Sequence, residues 1–196
     1  MTRNQHPIEV ESYRILRSQV DTAGLPPCTR AVTERVIHTS ADVGYATDLV
    51  CDEEVLRAGA DALGAGVPLV VDVRMLAAGI TSRKAVVAID QVSGPVSGLT
   101  RSAAGIRAVA ARHPQGAVWV VGNAPTALRE LIRLVTAGLV RPALVIGLPV
   151  GFVDAAAAKA ALRDSGLPAL SNRSAKGGAA VAAAAVNALL YLDQPR

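Results

Sequence analysis

Hydrophobic positions change their rhythm near residue 66. Before that point they recur at helical spacing. Ile8, Ser12, Ile15, Leu16 and Gln19 share one face, so Ser12 is a hydroxyl on an otherwise largely apolar stripe. Most such serines bond back to their own helix, and some face a ligand. Gly24-Leu25-Pro26-Pro27 stops this helix, because proline disrupts a helix interior. A second short helix is predicted over 29–38. A third opens at Asp52-Glu53-Glu54, where acidic groups suit the positive end of the helix. Its apolar residues are Val55, Leu56, Ala62 and Leu63, and Gly64-Ala65-Gly66 ends it.

Past residue 66 the pattern becomes one of short continuous apolar runs: 67–71, 85–89, 117–121 and 142–146. They are largely β-branched and do not alternate with polar residues, as expected of strands buried on both faces. Helical patterns follow three of them. The clearest covers 126–137, with Leu128, Leu131, Ile132 and Val135 on one face, Pro125 at its first turn and Gly138 past its end. Strand, turn and helix in repetition predict an α/β fold: a three-layer sandwich with a mostly parallel sheet, preceded by an N-terminal helical segment. No stretch looks like an interdomain linker, and the 196 residues suit a single domain over 1–196.

Composition narrows the partners. Hydrophobic residues make up 51% of the chain and charged residues 18%, enough for a sizeable core. Aromatics are only 3%, which argues against the stacking platforms of single-stranded nucleic-acid binders. The net charge of +4 comes from scattered residues, mainly arginines, and fits a solvated mixed surface best; an anionic small ligand is also compatible, whereas DNA binding would need a basic stripe or motif that the sequence lacks. Cys28 and Cys51 have no metal-ligand spacing and read as free thiols of a reducing cytoplasm. Met1 to Pro7 holds no signal-peptide core. The longest apolar stretch, 179–192, is interrupted by Asn187 and is too short to span a bilayer. No membrane and no metal partner are expected.

In an open parallel sheet, ligands bind beyond the C-terminal strand ends. Two of the turns there, Gly122-Asn123-Ala124-Pro125-Thr126 and Gly147-Leu148-Pro149-Val150-Gly151, combine glycine with proline. Either alone is more often just a tight turn; two on one edge favour a site. Neither carries a dinucleotide or phosphate-loop fingerprint. Arg101 at a helix start could hold a carboxylate, although such an arginine is usually solvated. The same ambiguity holds for the basic turn Arg173, Lys176, Gly177 and Gly178. His38 stands in Arg35-Val36-Ile37-His38-Thr39-Ser40-Ala41-Asp42, beside two hydroxyls and a carboxylate, and is the first candidate for a general acid or base. His6 lies in a polar tail and His113 at a helix end. A lone histidine is more often structural, and no Ser/His/Asp triad follows from spacing.

Several segments together carry a family resemblance. His38-Thr39-Ser40-Ala41-Asp42 with Tyr45-Ala46, Asp72-Val73-Arg74-Met75 with Ala78-Gly79-Ile80-Thr81, Gly122 to Leu128, Gly147 to Val153, and Lys176-Gly177-Gly178 occur in order over nearly the whole chain. The sequence resembles the precorrin-8X methylmutases, or precorrin isomerases, of cobalamin biosynthesis. It departs from them at Asp154-Ala155-Ala156-Ala157-Ala158, where Gly-Ala-Ala-Glu-Ser is common, and at Asn172-Arg173-Ser174-Ala175, where Arg-Gly-Arg is usual.

The resemblance implies an isomerase without redox or nucleotide cofactor. It implies migration of a methyl group from C-11 to C-12 of metal-free or cobalt-bearing precorrin-8X, with His38 protonating the macrocycle and Ser12 touching substrate. Thr39, Ser40, Arg101, Asn123, Thr126, Gly151 and Lys176 are the further substrate-binding candidates. A cytoplasmic homodimer with its site near the interface is implied too. The competing readings are a non-catalytic corrinoid carrier and an unrelated α/β domain for a nucleotide or sugar phosphate.

Overall fold

The computed structural model describes residues 6–192; Met1 to Gln5, part of the stretch read above for a signal-peptide core, and residues 193–196 lie outside it. Three helices come first: α1 (Pro7–Gln19), α2 (Pro27–Ser40) and the short α3 (Tyr45–Asp48). Then follow β1 (Leu49–Val50), α4 (Glu53–Gly64), β2 (Leu69–Val71), α5 (Arg74–Gly79), β3 (Val86–Val87) and α6 (Arg101–Ala110). The chain continues through β4 (Val118–Val121), α7 (Pro125–Thr136), β5 (Leu144–Gly147), α8 (Ala155–Asp164), β6 (Ala169–Asn172) and α9 (Ala179–Leu190).

The strand order is β1-β6-β5-β4-β2-β3, and every neighbouring pair is parallel except β1 with β6. Strand residues alternate between two cores. Leu69, Val71, Val118, Val120, Leu144, Ile146 and Leu170 face α4 and α9, with α2 packed on those helices and α1 on α2. Val70, Trp119, Val121 and Val145 face α6, α7 and α8. Both faces are covered, which is why the strands read as unbroken apolar runs. The expected three-layer α/β sandwich is the observed one.

Differences from the sequence reading have local causes. The run 85–89 is a two-residue strand, because Ala88–Gln91 closes into a 3-10 turn whose Ile89 N–H donates to the Asp72 carbonyl. Strands β1 and β6 were not foreseen. Of the predicted apolar face of α1 only Leu16 is buried, together with Tyr13 from outside that face, while Ile8 and Ile15 are exposed. α4 begins as predicted, with the Asp52 carboxylate accepting from the Glu54 and Val55 N–H groups.

Alanine sets the spacing around α9. A Cβ on Gly79 would sit 2.7 Å from the Ala183 Cβ, and one on Gly122 would sit 2.9 Å from the Ala182 Cβ. Small residues on both sides let α9 lie directly on α5 and on the β4 turn. α2 packs along the same helix, so the C-terminal end of α2 is carried to the flank of α9.

Candidate functional site

His38 lies in the last turn of α2, half-buried. Two neighbours from α1 fix its ring. The Ser12 hydroxyl and His38 Nδ1 share a 2.8 Å hydrogen bond. The Tyr13 ring stacks on the imidazole, with centroids 4.9 Å apart and planes within 10°. When Ser12 donates to Nδ1, the neutral imidazole carries its proton on Nε2. Behind Tyr13, the Arg17 guanidinium sits 5.6 Å from the ring centroid and is clamped by the buried Glu34.

Two hollows meet at His38. One, of about 200 Å³, lies between α1 and α2 and is lined by Ser12, Ile15, Gln19 and Val43 as well as His38. The other is a groove of about 300 Å³ along α9. Ala180, Ala183 and Ala184 form its apolar floor, and Arg35, His38 and Thr39 of α2 form one wall. Gly79, Thr81, Asn187 and Tyr191 close the opposite side. There Asn187 Nδ2 donates to the Gly79 carbonyl at 2.8 Å, and the Thr81 and Tyr191 hydroxyls share a 2.8 Å hydrogen bond. The groove therefore has an apolar base and a polar rim, and no carboxylate among the described residues lines it.

The remaining candidates fall in different places. Thr39 lines the groove. The Ser40 hydroxyl instead donates to the Val36 carbonyl at 2.8 Å, the back-bonding habit of a helical serine. Lys176 stands at the start of α9. Its ammonium donates to Asp42 Oδ2 at 2.7 Å and lies 5.4 Å from the Tyr45 ring centroid, which ties the end of α2 to the end of α9. The Asp42 carboxyl is held below its usual range mainly by this bond. Gly151 adopts a φ of 152°, and its N–H donates to the Ala175 carbonyl, joining the β5 turn to the basic turn.

Asn123, Thr126 and Arg101 lie at the C-terminal ends of the strands and do not line the His38 groove. The Gly122-Asn123-Ala124 turn sits where the strand order reverses between β2 and β4, the usual crevice for a ligand. Its N–H groups are already engaged by the buried Asp72 carboxylate, at 3.2 Å from Gly122, 2.8 Å from Asn123 and 3.1 Å from Ala124. Burial pushes that carboxyl above its usual range against the pull of these donors. The protein's own carboxylate occupies the anion-binding position of this turn. Thr126 shares a 2.8 Å hydrogen bond with Thr100, and Arg101 is exposed.

Beneath the basic turn runs a polar cluster absent from the sequence reading. Lys159 of α8 is fully buried; its Nζ donates to Asn172 Oδ1 at 2.8 Å and to the Lys176 carbonyl at 2.6 Å. Burial lowers its pKa to about 8. Asn172 and Ser174 donate in turn to Asp48. Residues 173–178 are thus fixed from below rather than displayed as a loose anion loop. His6 also differs from the expectation of a polar tail, since its Nδ1 accepts from Ile8 N–H and caps α1. Cys28 and Cys51 form no disulfide among the described residues, and burial raises the Cys51 thiol. No group of three or more metal-ligating side chains occurs among the described residues.

A groove with a histidine wall and an alanine floor is not diagnostic by itself, but the whole chain is. Residues 7–192 match the family described as "CbiC: Precorrin-8X methylmutase". The chain belongs to this family. It is 38% identical to a precorrin-8X methylmutase of Pseudomonas aeruginosa, with 95% of each protein covered. It is 39% identical to a cobalt-precorrin-8 methylmutase of Methanocaldococcus jannaschii, over 81% of this chain and 77% of that protein. The crystal structure of the precorrin-8X methylmutase from Thermus thermophilus superposes with a TM-score of 0.86 at 34% identity, covering 94% of both chains. As a family member the protein is an intramolecular isomerase of cobalamin biosynthesis. No helix among the described residues is long and apolar enough to cross a membrane.

Arg35, Thr81, Asn187 and Tyr191 are the groove residues that sequence reasoning did not select. Asn187 had a signal, as the one polar residue inside the long apolar stretch 179–192. Tyr13 had none, since the periodicity placed it off the predicted face.

Proposed function

We propose that the protein moves a methyl group from C-11 to C-12 of precorrin-8X or its cobalt form, with His38 as the proton donor and acceptor. The observation that carries this reading is the Ser12–His38–Tyr13 arrangement at the wall of the α9 groove. The Ser12 hydrogen bond and the Tyr13 stack orient the ring beside the groove, as a positioned general acid must be oriented. Protonation at ring C polarises the conjugated system. The C-11–methyl bond then breaks as the C-12–methyl bond forms, and the proton returns to the imidazole. A positioned acid contributes about 10²–10⁴-fold to such a step.

The small apolar side chains of Ala180, Ala183 and Ala184 leave room for the apolar ring of a macrocycle, and the rim residues suit its polar periphery. Of the proposed binding residues, Ser12 and Thr39 border the two hollows directly. Ser40 and Lys176 act through the conformation of the α2 end and Gly151 through the turn that its N–H ties to Ala175, while Arg101, Asn123 and Thr126 are assigned to the outlying carboxylates. A groove of about 300 Å³ is at the small end for ligand sites and holds only one edge of a corrin-sized ring. The rest of the enclosure is assigned to a second copy in a homodimer. The exposed Ile8, Ile15 and Val43 around Ser12 and the exposed Phe152 and Val153 of the β5 turn support this.

The test is to mix purified protein separately with precorrin-8X and with cobalt-precorrin-8 and record absorption spectra over time. Conversion of either to the rearranged chromophore supports the reading. A static spectrum with tight binding of both would instead favour a non-catalytic corrinoid carrier.

A further inference from the structure

We propose that Arg35 is the specificity-determining cation of the His38 groove, and that it takes one peripheral carboxylate of the macrocycle. Arg35 lies one turn before His38 on the same wall of the groove. Its side chain is 18% exposed. The other arginines of the described ion pairs, such as Arg30 at 37% and Arg74 at 75%, reach further into solvent.

Like Arg30 and Arg107, Arg35 forms a single-pronged ion pair. Arg14, Arg17, Arg129 and Arg133 each grip a carboxylate with Nε and Nη2 together, the two-pronged geometry that uses the guanidinium fork fully. Arg35 makes one contact, from Nη1 to Glu9 Oε1 at 3.1 Å. Among the described residues its Nε and Nη2 donors have no other partner. Trp119 Nε1 is the one fully buried, unpartnered side-chain polar atom among the described residues, so these Arg35 donors still reach water and would exchange it for an incoming anion. Among the described residues, Arg35 shares the groove lining with hydroxyl, amide and apolar groups and with no carboxylate. An incoming carboxylate could take the Nε–Nη2 edge while Glu9 holds the other side. The anchor would lie within one helical turn of the proton donor, which fixes which edge of the ring faces His38.

This assignment rests on the corrinoid reading of the groove. The experiment compares binding of cobyrinic acid with that of its fully methyl-esterified form to the wild type, Arg35→Met and Arg35→Lys, by absorbance titration. Turnover of precorrin-8X by the wild type is measured alongside, and circular dichroism checks folding. A charge-assisted hydrogen bond of the usual strength predicts that Arg35→Met weakens binding of the acid by about 10- to 100-fold. The ester should bind the variant within about twofold of the wild type, since it offers no charge to lose. Arg35→Lys should recover part of the preference for the acid. Equal weakening of acid and ester, or no weakening of either, overturns the assignment of Arg35. If the wild type turns over precorrin-8X while this happens, only Arg35 is misassigned; if it neither binds nor converts any corrinoid, the reading of the groove falls with it.

Discussion

Glu34 links the stability of the N-terminal helices to the geometry of the site. It is fully buried, one turn before His38, and accepts hydrogen bonds from Arg17, Thr22 and Arg30. Burial alone would raise its carboxyl, but these donors carry it down from 4.5 to about 2. That difference corresponds to about 3 kcal/mol of folding stability at neutral pH. Because the folded-state value is depressed, the contribution is complete above about pH 4.5 and is lost as pH falls toward about 2. Glu34→Gln should therefore lower the unfolding free energy by about 3 kcal/mol at pH 7, with the gap to wild type closing as the pH is lowered to about 2. Urea unfolding at fixed protein concentration measures this, with Trp119, the one tryptophan and fully buried, as the fluorescent reporter. Glu53 and Glu130 are also held at about 2 and titrate in the same window, so the quantity to read is the difference between variant and wild type. A gap that is the same at pH 7 and pH 3, or below about 1 kcal/mol at pH 7, would refute the reasoning. Arg17, released from Glu34, would also no longer be pinned over Tyr13, so the variant's kcat should fall more than its KM changes.

Removing the Ser12 hydroxyl tests the ring geometry: Ser12→Ala should lower kcat by roughly tenfold, the worth of about one hydrogen bond, with KM within about twofold, as stopped-flow absorbance can show. Lys159→Met tests the buried ammonium. A folded-state pKa lowered to about 8 means that wild-type stability rises with pH between about 8 and 10.5, where the unfolded chain holds the extra proton. The wild type should gain on Lys159→Met across that window in parallel urea titrations; a constant difference between pH 7 and pH 10 would show that Lys159 titrates normally.

Much of the architecture was legible because the relevant patterns are local. Continuous β-branched runs specified the central strands, and Pro125 with Gly138 bracketed α7. The missed strands carry weak signals: β1 is only Leu49 and Val50, and β6 reads Ala-Leu-Ser-Asn without a β-branched residue. The site was legible only in part. The histidine motif identifies His38, and the resemblance points to Ser12, but neither says which helix His38 faces. The strand-end rule drew attention to Gly122 to Thr126, where Asp72 already fills the donors from fifty residues away. The groove depends instead on α2 meeting α9 across the fold, a contact that periodicity does not encode. Of the apolar stripe predicted on α1, only Leu16 enters the core. What the sequence does not disclose is that its Ile8 and Ile15 remain open beside the site rather than entering the core.

The central claim is that His38 supplies the proton for methyl migration. Its most direct test is single-turnover conversion of precorrin-8X by His38→Ala, with circular dichroism and size-exclusion profiles matching wild type. The account predicts a loss of at least about 10²-fold in the rate of rearrangement, with corrinoid binding retained. A folded His38→Ala variant that rearranges the macrocycle within about tenfold of the wild-type rate would contradict it.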